Sequence, residues 1–408
     1  YSVLPADGVG DFTFSRGSAA TRINKDGLIE TVASGVSRLN YPLIDGKVVG
    51  CPSHLLEPER LQQIQYSEDF SNAYWAKSSS SVVSGFTSPS GVLSAFKLVE
   101  NIATTTHQIQ RFFSFLNQKY SLSAFLKADE RNWIKVNLYD GSSSVYAYFD
   151  LTNGVVGQEL GATGKIEKYG NGWYRCSITT TLNVSAGGNG NISLRLAEND
   201  GGTGYVGNGT SGLYIYGAQL EQGSYPTSYI PNYGTSAGIT RSAETANGSG
   251  DASTFNDSEG VFMLEVSTFV DDDANRQISI SNGTTSNAIK FTFIDEDTLI
   301  FERKTSSGDV QDSIDFVSGN FTKLAFQYKS NDYKGFVNGF EISLTQSANL
   351  PTSLSLLNFD NGTGGGDFYG NTKQLQYFDS ALNDSDLETL TSWTSFTDMA
   401  NGQLYTIE

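Results

Sequence analysis

The chain has 408 residues, room for two or three domains at about 150 residues each. Its 26 Lys+Arg against 44 Asp+Glu leave a formal charge of −18, which argues against nucleic acid, whose affinity rests on neutralising phosphates, and against anionic membrane surfaces. Charged residues make up only 17% and aromatics 12%, with 43 Gly and 8 Pro, a composition that suits a turn-rich, all-β fold and not a disordered chain.

Residues 1–65 read as an extended arm lying on a neighbouring domain. Phe12 and Phe14 alternate with polar residues, as in a short strand. Asn24-Lys25-Asp26-Gly27 and Asp45-Gly46 mark tight turns. The stretch Glu57 to Ile64, with Pro58 in its first turn, is the helical candidate of this segment. The opening YSVLPADGVGDF has no Met, basic region or apolar run, so either processing or a longer parent chain is expected.

Residues 66–232 predict a sandwich of antiparallel strands. Tyr120, Leu122, Ala124 and Leu126 alternate with Ser121, Ser123 and Phe125, and Ile134, Val136 and Leu138 alternate with Trp133, Lys135, Asn137 and Tyr139. Val145, Ala147 and Phe149 alternate with Tyr146 and Tyr148, and Leu194 and Leu196 with Ser193, Arg195 and Ala197. Period-two alternation between Gly- and Asn-rich gaps means half-buried strands. Residues 233–256 are small and polar and read as a linker or surface strap. Residues 257–393 predict a second sandwich, in which Asn338-Gly339 marks a hairpin. Ser385 and Glu388 have capping-box spacing before Leu387 and Leu390, which predicts one short helix. Residues 394–408 form a tail.

Three segments resemble landmarks of a jelly-roll module found in bacteriophage tail-fibre and other virion proteins, similar to galactose-binding-like carbohydrate-binding modules. They are YSEDFSNAYW (Tyr66 to Trp75), GNGWYRCSIT (Gly170 to Thr179) and LYIYGAQLEQGSYPTSYIPN (Leu213 to Asn232). The stretch FSRGSAATRINKDGLIE (Phe14 to Glu30), with RLNYPLIDG and HLLEPER after it, resembles the segment preceding this module in such phage proteins. YKGFVNGFEI (Tyr333 to Ile342) and GNTKQLQYFDSALNDSDLETL (Gly370 to Leu390) resemble a laminin-G-like or concanavalin-A-like sandwich. The resemblance implies a protein on the virion surface, outside the cell: a tail or head fibre or a decoration subunit. It implies bacterial surface polysaccharide and other virion proteins as partners, commonly as a homotrimer. Separately, no apolar run approaches about 18 residues, so no membrane insertion is expected. Similar modules occur in secreted polysaccharide-active enzymes, and fold alone does not fix function.

Sugars are bound by aromatic faces stacking on pyranose C–H groups, with polar side chains bonding the hydroxyls. The strand alternation places Trp133, Asn137, Tyr139, Tyr146 and Tyr148 opposite the aliphatic core positions, and Gln108, Gln110 and Arg195 join them if their strands are neighbours. The same face could equally be a subunit interface, where Tyr and Trp are enriched.

The resemblance requires no cofactor but allows a structural Ca²⁺, which takes about six to eight oxygens. Candidates are Glu68, Asp69 and Glu221, if the first and last strands of the first sandwich meet, Asp271, Asp272 and Asp273 in one loop, and Asp360 and Asp367 in DNGTGGGD. None has the spacing of an EF-hand loop.

Little here suits catalysis. The two cysteines, Cys51 and Cys176, are far apart and read as free buried thiols. A Ser-His-Asp triad would need His54 or His107, the only histidines. Glycosidases use two carboxylates about 5–9.5 Å apart, and the nearest acidic strand, with Asp295, Glu296, Asp297 and Glu302, has the wrong spacing. The Gly-rich GNGTSG and GTGGG lie among strands and open no phosphate-binding helix. The reading is therefore a non-catalytic glycan-binding protein. A purely structural virion protein and a polysaccharide-degrading enzyme, or its binding module, are the alternatives.

Overall fold

The computed structural model describes residues 12–184, 189–269, 274–295 and 297–402. Two antiparallel β-sandwiches account for most of them. The other described elements are five two-stranded sheets, a 3-10 turn and two helices near the C-terminus, Asp384–Thr391 and Phe396–Gly402, the latter within the segment expected as a tail.

The first sandwich pairs two six-stranded sheets. One, here the arm-side sheet, runs in the order Ser80–Phe86, Ala95–Glu100, Gly212–Gln222, Lys119–Lys127, Tyr174–Thr181, Thr163–Lys168. The other, the aromatic sheet, runs Val155–Leu160, Ser144–Asp150, Trp133–Tyr139, Asn189–Ala197, Gln108–Ser114, Ala76–Ser78. The alternation decides which side chains meet between them. Tyr120, Leu122, Ala124 and Leu126 of one sheet face Ile134, Val136, Leu138, Ala147 and Phe149 of the other, together with Leu194 and Leu196. Each large apolar side chain buried this way contributes about 1.5–3 kcal/mol. Phe125, of opposite parity, joins a small cluster on the outer side of the arm-side sheet with Ile29, Trp173, Tyr216 and Tyr229.

The second sandwich pairs a seven-stranded and a five-stranded sheet around a phenylalanine-rich core that includes Phe262, Phe291, Phe301 and Phe326. The five-stranded sheet runs Gly308–Asp315, Thr298–Thr305, Ala288–Ile294, Arg276–Ser281, Leu356–Asn358. Asn338 (φ 51°) and Gly339 (φ 88°) form the expected two-residue hairpin between Lys334–Val337 and Phe340–Ile342.

The N-terminal segment is built into both halves. Arg38–Asn40 and Ser53–Leu56 are the last two strands of the seven-stranded sheet, beside Gly370–Phe378. Phe12, Phe14 and Leu56 enter the second core. The hairpin Ala20–Ile23/Ile29–Val32 lies on the outer side of the arm-side sheet, where Thr21 donates to the Tyr229 carbonyl at 2.5 Å.

Three local expectations differ from the structure. Glu57 to Ile64 is extended and not helical: Arg60–Gln62 pairs with Ile239–Arg241. Its polar side chains point to fixed partners on different elements, Glu57 to Arg38 and Arg241, and Gln62 to the Ala218 carbonyl. The 233–256 stretch is more than a surface strap. It contributes Ile239–Arg241 and Thr245–Asn247 as strands, and Arg241, Glu244, Ala246 and Ser249 are buried. The Asp384–Thr391 helix is capped by Asn383, whose side chain accepts from the Asp386 N–H at 3.0 Å; Ser385 lies inside it.

The junction of arm, linker and first sandwich is an ionic knot. Arg16 donates to Glu244 at 2.6 Å, Arg38 to Glu57 at 2.8 Å and to Glu244, and Arg241 to Glu57 at 2.6 Å. All five side chains are buried. Ser228, from the end of the first sandwich, donates its N–H to Glu57 at 2.7 Å and its hydroxyl at 2.6 Å.

Candidate functional site

The cross-strand register assembles the candidate glycan face on the outer side of the aromatic sheet. Lys135 stands between Tyr148 and Arg195, and Arg195 is paired in turn with Gln108. In the next row Asn137 stands between Tyr146 and Ser193, and Ser193 is paired with Gln110. Tyr139 is flanked by Ser144 and Asn191, and Asn191 by Phe112. Trp133 begins the same strand beside Asp150 and Ala197. Neighbouring strands thus place Gln108, Gln110 and Arg195 beside the aromatic set.

Depth divides this set. Trp133, Tyr139, Tyr146, Arg195, Gln108 and Gln110 are half-buried and reach the surface, whereas Asn137 and Tyr148 lie beneath their neighbours. Tyr146 and Tyr148 meet edge-on at 5.6 Å. The Tyr148 hydroxyl is raised by burial and is bonded to Thr203, which comes from the loop leading out of the Asn189–Ala197 strand. Lys135, which composition and motif did not single out, is the central cation of the face. Its ammonium lies 3.3 Å from the centroid of the Tyr146 ring, a cation–π contact. The signal for it was its parity, shared with Trp133, Asn137 and Tyr139.

The acidic candidates are occupied by protein donors. Glu68 accepts from the hydroxyls of Tyr216 at 3.0 Å, Tyr229 at 3.1 Å and Tyr233 at 3.2 Å, and burial raises its pKa. Asp69 caps its own turn through Ser71. Glu221 accepts from Gln219 at 2.7 Å and from the Thr227 hydroxyl at 2.5 Å, and its strand neighbour is Ser121. Asp360 accepts from Asn247 at 2.9 Å and from the Gly362 N–H at 2.6 Å, and Asp367 from Tyr369 at 3.2 Å. Asp271, Asp272 and Asp273 lie outside the described residues. Among the described residues, no three His, Cys, Asp or Glu side chains gather in a way that could hold a metal ion.

Of the residues weighed for catalysis, His107, Asp297 and Glu302 are held by protein partners, and His54 is buried without one. His54 is buried edge-on to Phe14 and Phe359 with neither ring nitrogen bonded, and burial, then Arg38, lowers its pKa to about 3. His107 Nδ1 lies 2.7 Å from the Ser79 carbonyl. Glu302 is bound by Lys290, Lys304 and Gln311, Asp297 bonds Thr298, Asp295 sits in a turn at φ 51°, and Glu296 lies outside the described residues. Glu57 and Glu244 do converge, but on three buried arginines. Cys176 is a buried thiol, as expected; Cys51 is exposed, because the turn before Ser53–Leu56 carries it on the surface.

A second concavity, of about 950 Å³, opens between the arm, the outer side of the arm-side sheet and the second sandwich. Its lining is mixed, with Lys165 paired to Glu167 at 2.9 Å and Arg175 donating to Ser123 at 3.1 Å.

No protein-family model matches the chain, and neither does any curated protein. Among solved structures it is similar to the Ruminococcus gnavus IT-sialidase CBM40 bound to α2,3-sialyllactose, at 17% identity over 36% of this chain and 94% of that one, TM-score 0.31. It is similar to sheep galectin-11 in complex with glycerol, at 16% identity over 29% and 90%, TM-score 0.23. It is also similar to domains LG4-5 of the mouse laminin α1 chain, at 11% identity over 85% and 96%, TM-score 0.25.

Proposed function

We propose that the chain is a non-catalytic glycan-binding protein whose site is the outer surface of the aromatic sheet. One observation carries this reading. Half-exposed Trp133, Tyr139 and Tyr146 stand on a single sheet face among amide and cationic side chains, while the opposite face of the same strands forms the core. Rings of this kind stack on pyranose faces, and Gln108, Gln110 and Arg195 supply hydroxyl partners. The phage-like segments, Phe14 to Glu30 above all, support placing the protein on a virion surface as a fibre or decoration subunit attached to other virion proteins. In a homotrimer, weak single sites would be strengthened by effective concentration. No helix among the described residues is long and apolar enough to cross a membrane.

Phe112, on the same face and 58% exposed, favours a second reading, in which this face is a subunit contact. The experiment is retention of the chain on a panel of bacterial surface polysaccharides, with a Trp133→Ala/Tyr139→Ala variant and reducing-end release measured in parallel. Retention that falls at least tenfold in the variant, without sugar release, is expected. Absence of retention on every polymer, with Phe112→Ser altering the oligomeric state, would replace glycan binding by the contact.

A further inference from the structure

The centre of the proposed face holds two adjacent cations, while the acids beside it, Asp150 next to Trp133 and Asp200 near Tyr148, accept from Asn153 and the Gln158 N–H instead. Lys135 and Arg195 are directly paired across neighbouring strands, a placement that is unfavourable for like charges. Lys135 is 8% exposed, and its ammonium contacts are ring faces: Tyr146 at 3.3 Å and Tyr148 at 5.3 Å. Arg195 donates through Nε to Ser193 at 2.9 Å and, with the Asn137 amide oxygen turned toward it, through Nη2 at 3.2 Å. Among the described residues neither cation has a carboxylate within ion-pair distance. Burial, then Arg195, lowers the Lys135 ammonium to about 8, and burial lowers Arg195.

The chain does not lack acids to pair with them, since it has 44. Elsewhere it pairs several cations with them, although buried Arg303, 3.9 Å from the Tyr333 ring centroid, has no carboxylate within ion-pair distance among the described residues. On the second sandwich, Lys290 is buried on a sheet face and paired with Glu302 at 2.9 Å. In the first, Lys97 is held by Asp129 and Glu130 at 2.6 and 2.5 Å, and Arg131 by Glu100 at 2.8 Å. A desolvated like-charge pair ringed by tyrosines costs folding stability, and an incoming anion relieves that cost.

We infer that Lys135 and Arg195 receive the carboxylate of an acidic sugar, so that the ligand class is a uronate- or sialate-bearing polysaccharide. The inference rests on the glycan-binding reading and narrows it. The Arg195 fork takes the carboxylate oxygens, the Lys135 ammonium adds charge from below, and Tyr146 takes the adjoining ring face.

The test uses the full chain on immobilised polygalacturonate and polysialate, each beside its carboxyl-reduced form, with neutral dextran and the bacterial polysaccharide panel as further arms. Retention on at least one of the two acidic polymers is expected to fall at least tenfold on carboxyl reduction, in Arg195→Gln, and between 50 and 300 mM salt. Equal retention on the reduced polymer, or retention on neutral polymers only, overturns the carboxylate assignment and leaves glycan binding standing. Absence of retention on every polymer overturns both. A folding readout guards against variants that merely unfold. Lys135→Met is expected to raise the melting temperature, because it removes one of two like charges, and a lowered one would mark the lysine as a structural group and overturn the inference.

Discussion

The balance of charge at single residues makes this protein sensitive to acid. Burial alone would raise the Glu57 carboxyl, but Arg241 and Arg38 more than offset it and hold its pKa near 2, against 4.5 in the unfolded chain. Its contribution to stability is therefore complete above about pH 4.5 and is lost as pH falls towards 2. His54 acts at higher pH. Its folded value of about 3 lies below the unfolded 6.5, so below pH 6.5 the unfolded chain takes up a proton that the folded chain refuses. Each such group changes stability by about 1.4 kcal/mol per pH unit within its window. Urea midpoints should be level near pH 7–8, fall below 6.5 through His54, and fall more steeply below 4.5 once Glu57 joins. His54→Phe keeps a ring against Phe14 and Phe359 and should flatten the upper limb alone. Parallel profiles for this variant and the natural chain between pH 6.5 and 4.5 would show that His54 is not the group responsible.

Among the elements, the short hairpins of the arm depend on where their turns dock. Gly46, at φ +72°, joins Leu43–Ile44 to Lys47–Val48, and a Cβ there would lie 2.4 Å from the Tyr169 carbonyl oxygen. That neighbour is backbone in the turn before Tyr174–Thr181 and has no side-chain freedom to yield. Gly46→Ala adds this clash to a left-handed backbone that costs an L-residue about 1–2 kcal/mol. The hairpin should lift from the first sandwich, giving faster proteolytic cleavage in residues 43–50 with the sandwich still folded; unchanged cleavage would show that this docking is dispensable. Elements of this size also show what a sequence reveals. Asn338-Gly339 was legible because a two-residue turn is specified by its own φ angles, and the 133–139 strand because its parity is local. The 57–64 segment was not, because what holds it extended is remote: Arg241, which binds Glu57, is 184 residues away. For the candidate face, parity gave membership but not depth. Asn137 and Tyr148 share the alternation of Trp133 and Tyr139, yet Tyr148 is bonded to Thr203 and Asn137 is buried between Tyr146 and Ser193, and a lysine such as Lys135 on a polar face carries no signal until its neighbours are known.

Across the whole molecule, the arm makes the second sandwich depend on residues far upstream of it. Without residues 12–62 the seven-stranded sheet loses two strands, the second core loses Phe12, Phe14 and Leu56, and Gly370–Phe378 becomes an open edge prone to pairing with other chains. The ionic knot is also cut in half: Glu244 keeps neither Arg16 nor Arg38, and Arg241 loses Glu57. An unpaired buried charge of this kind costs about 3–5 kcal/mol. The first sandwich is placed differently, since its main core cluster begins at Ile64 and takes no buried residue from upstream of residue 63, although Gln62 and Ile29 pack on its outer side. A chain beginning at residue 63 should therefore keep a cooperatively melting first sandwich and lose the second, seen in calorimetry as one transition of reduced enthalpy together with aggregation. Because the aromatic face belongs wholly to the first sandwich, the same truncated chain should still be retained on whichever polysaccharide retains the full chain. Full enthalpy in the truncated chain would show that the second sandwich folds without its borrowed strands. Loss of retention while the first sandwich still melts normally would move the binding site to the concavity that the arm helps to line.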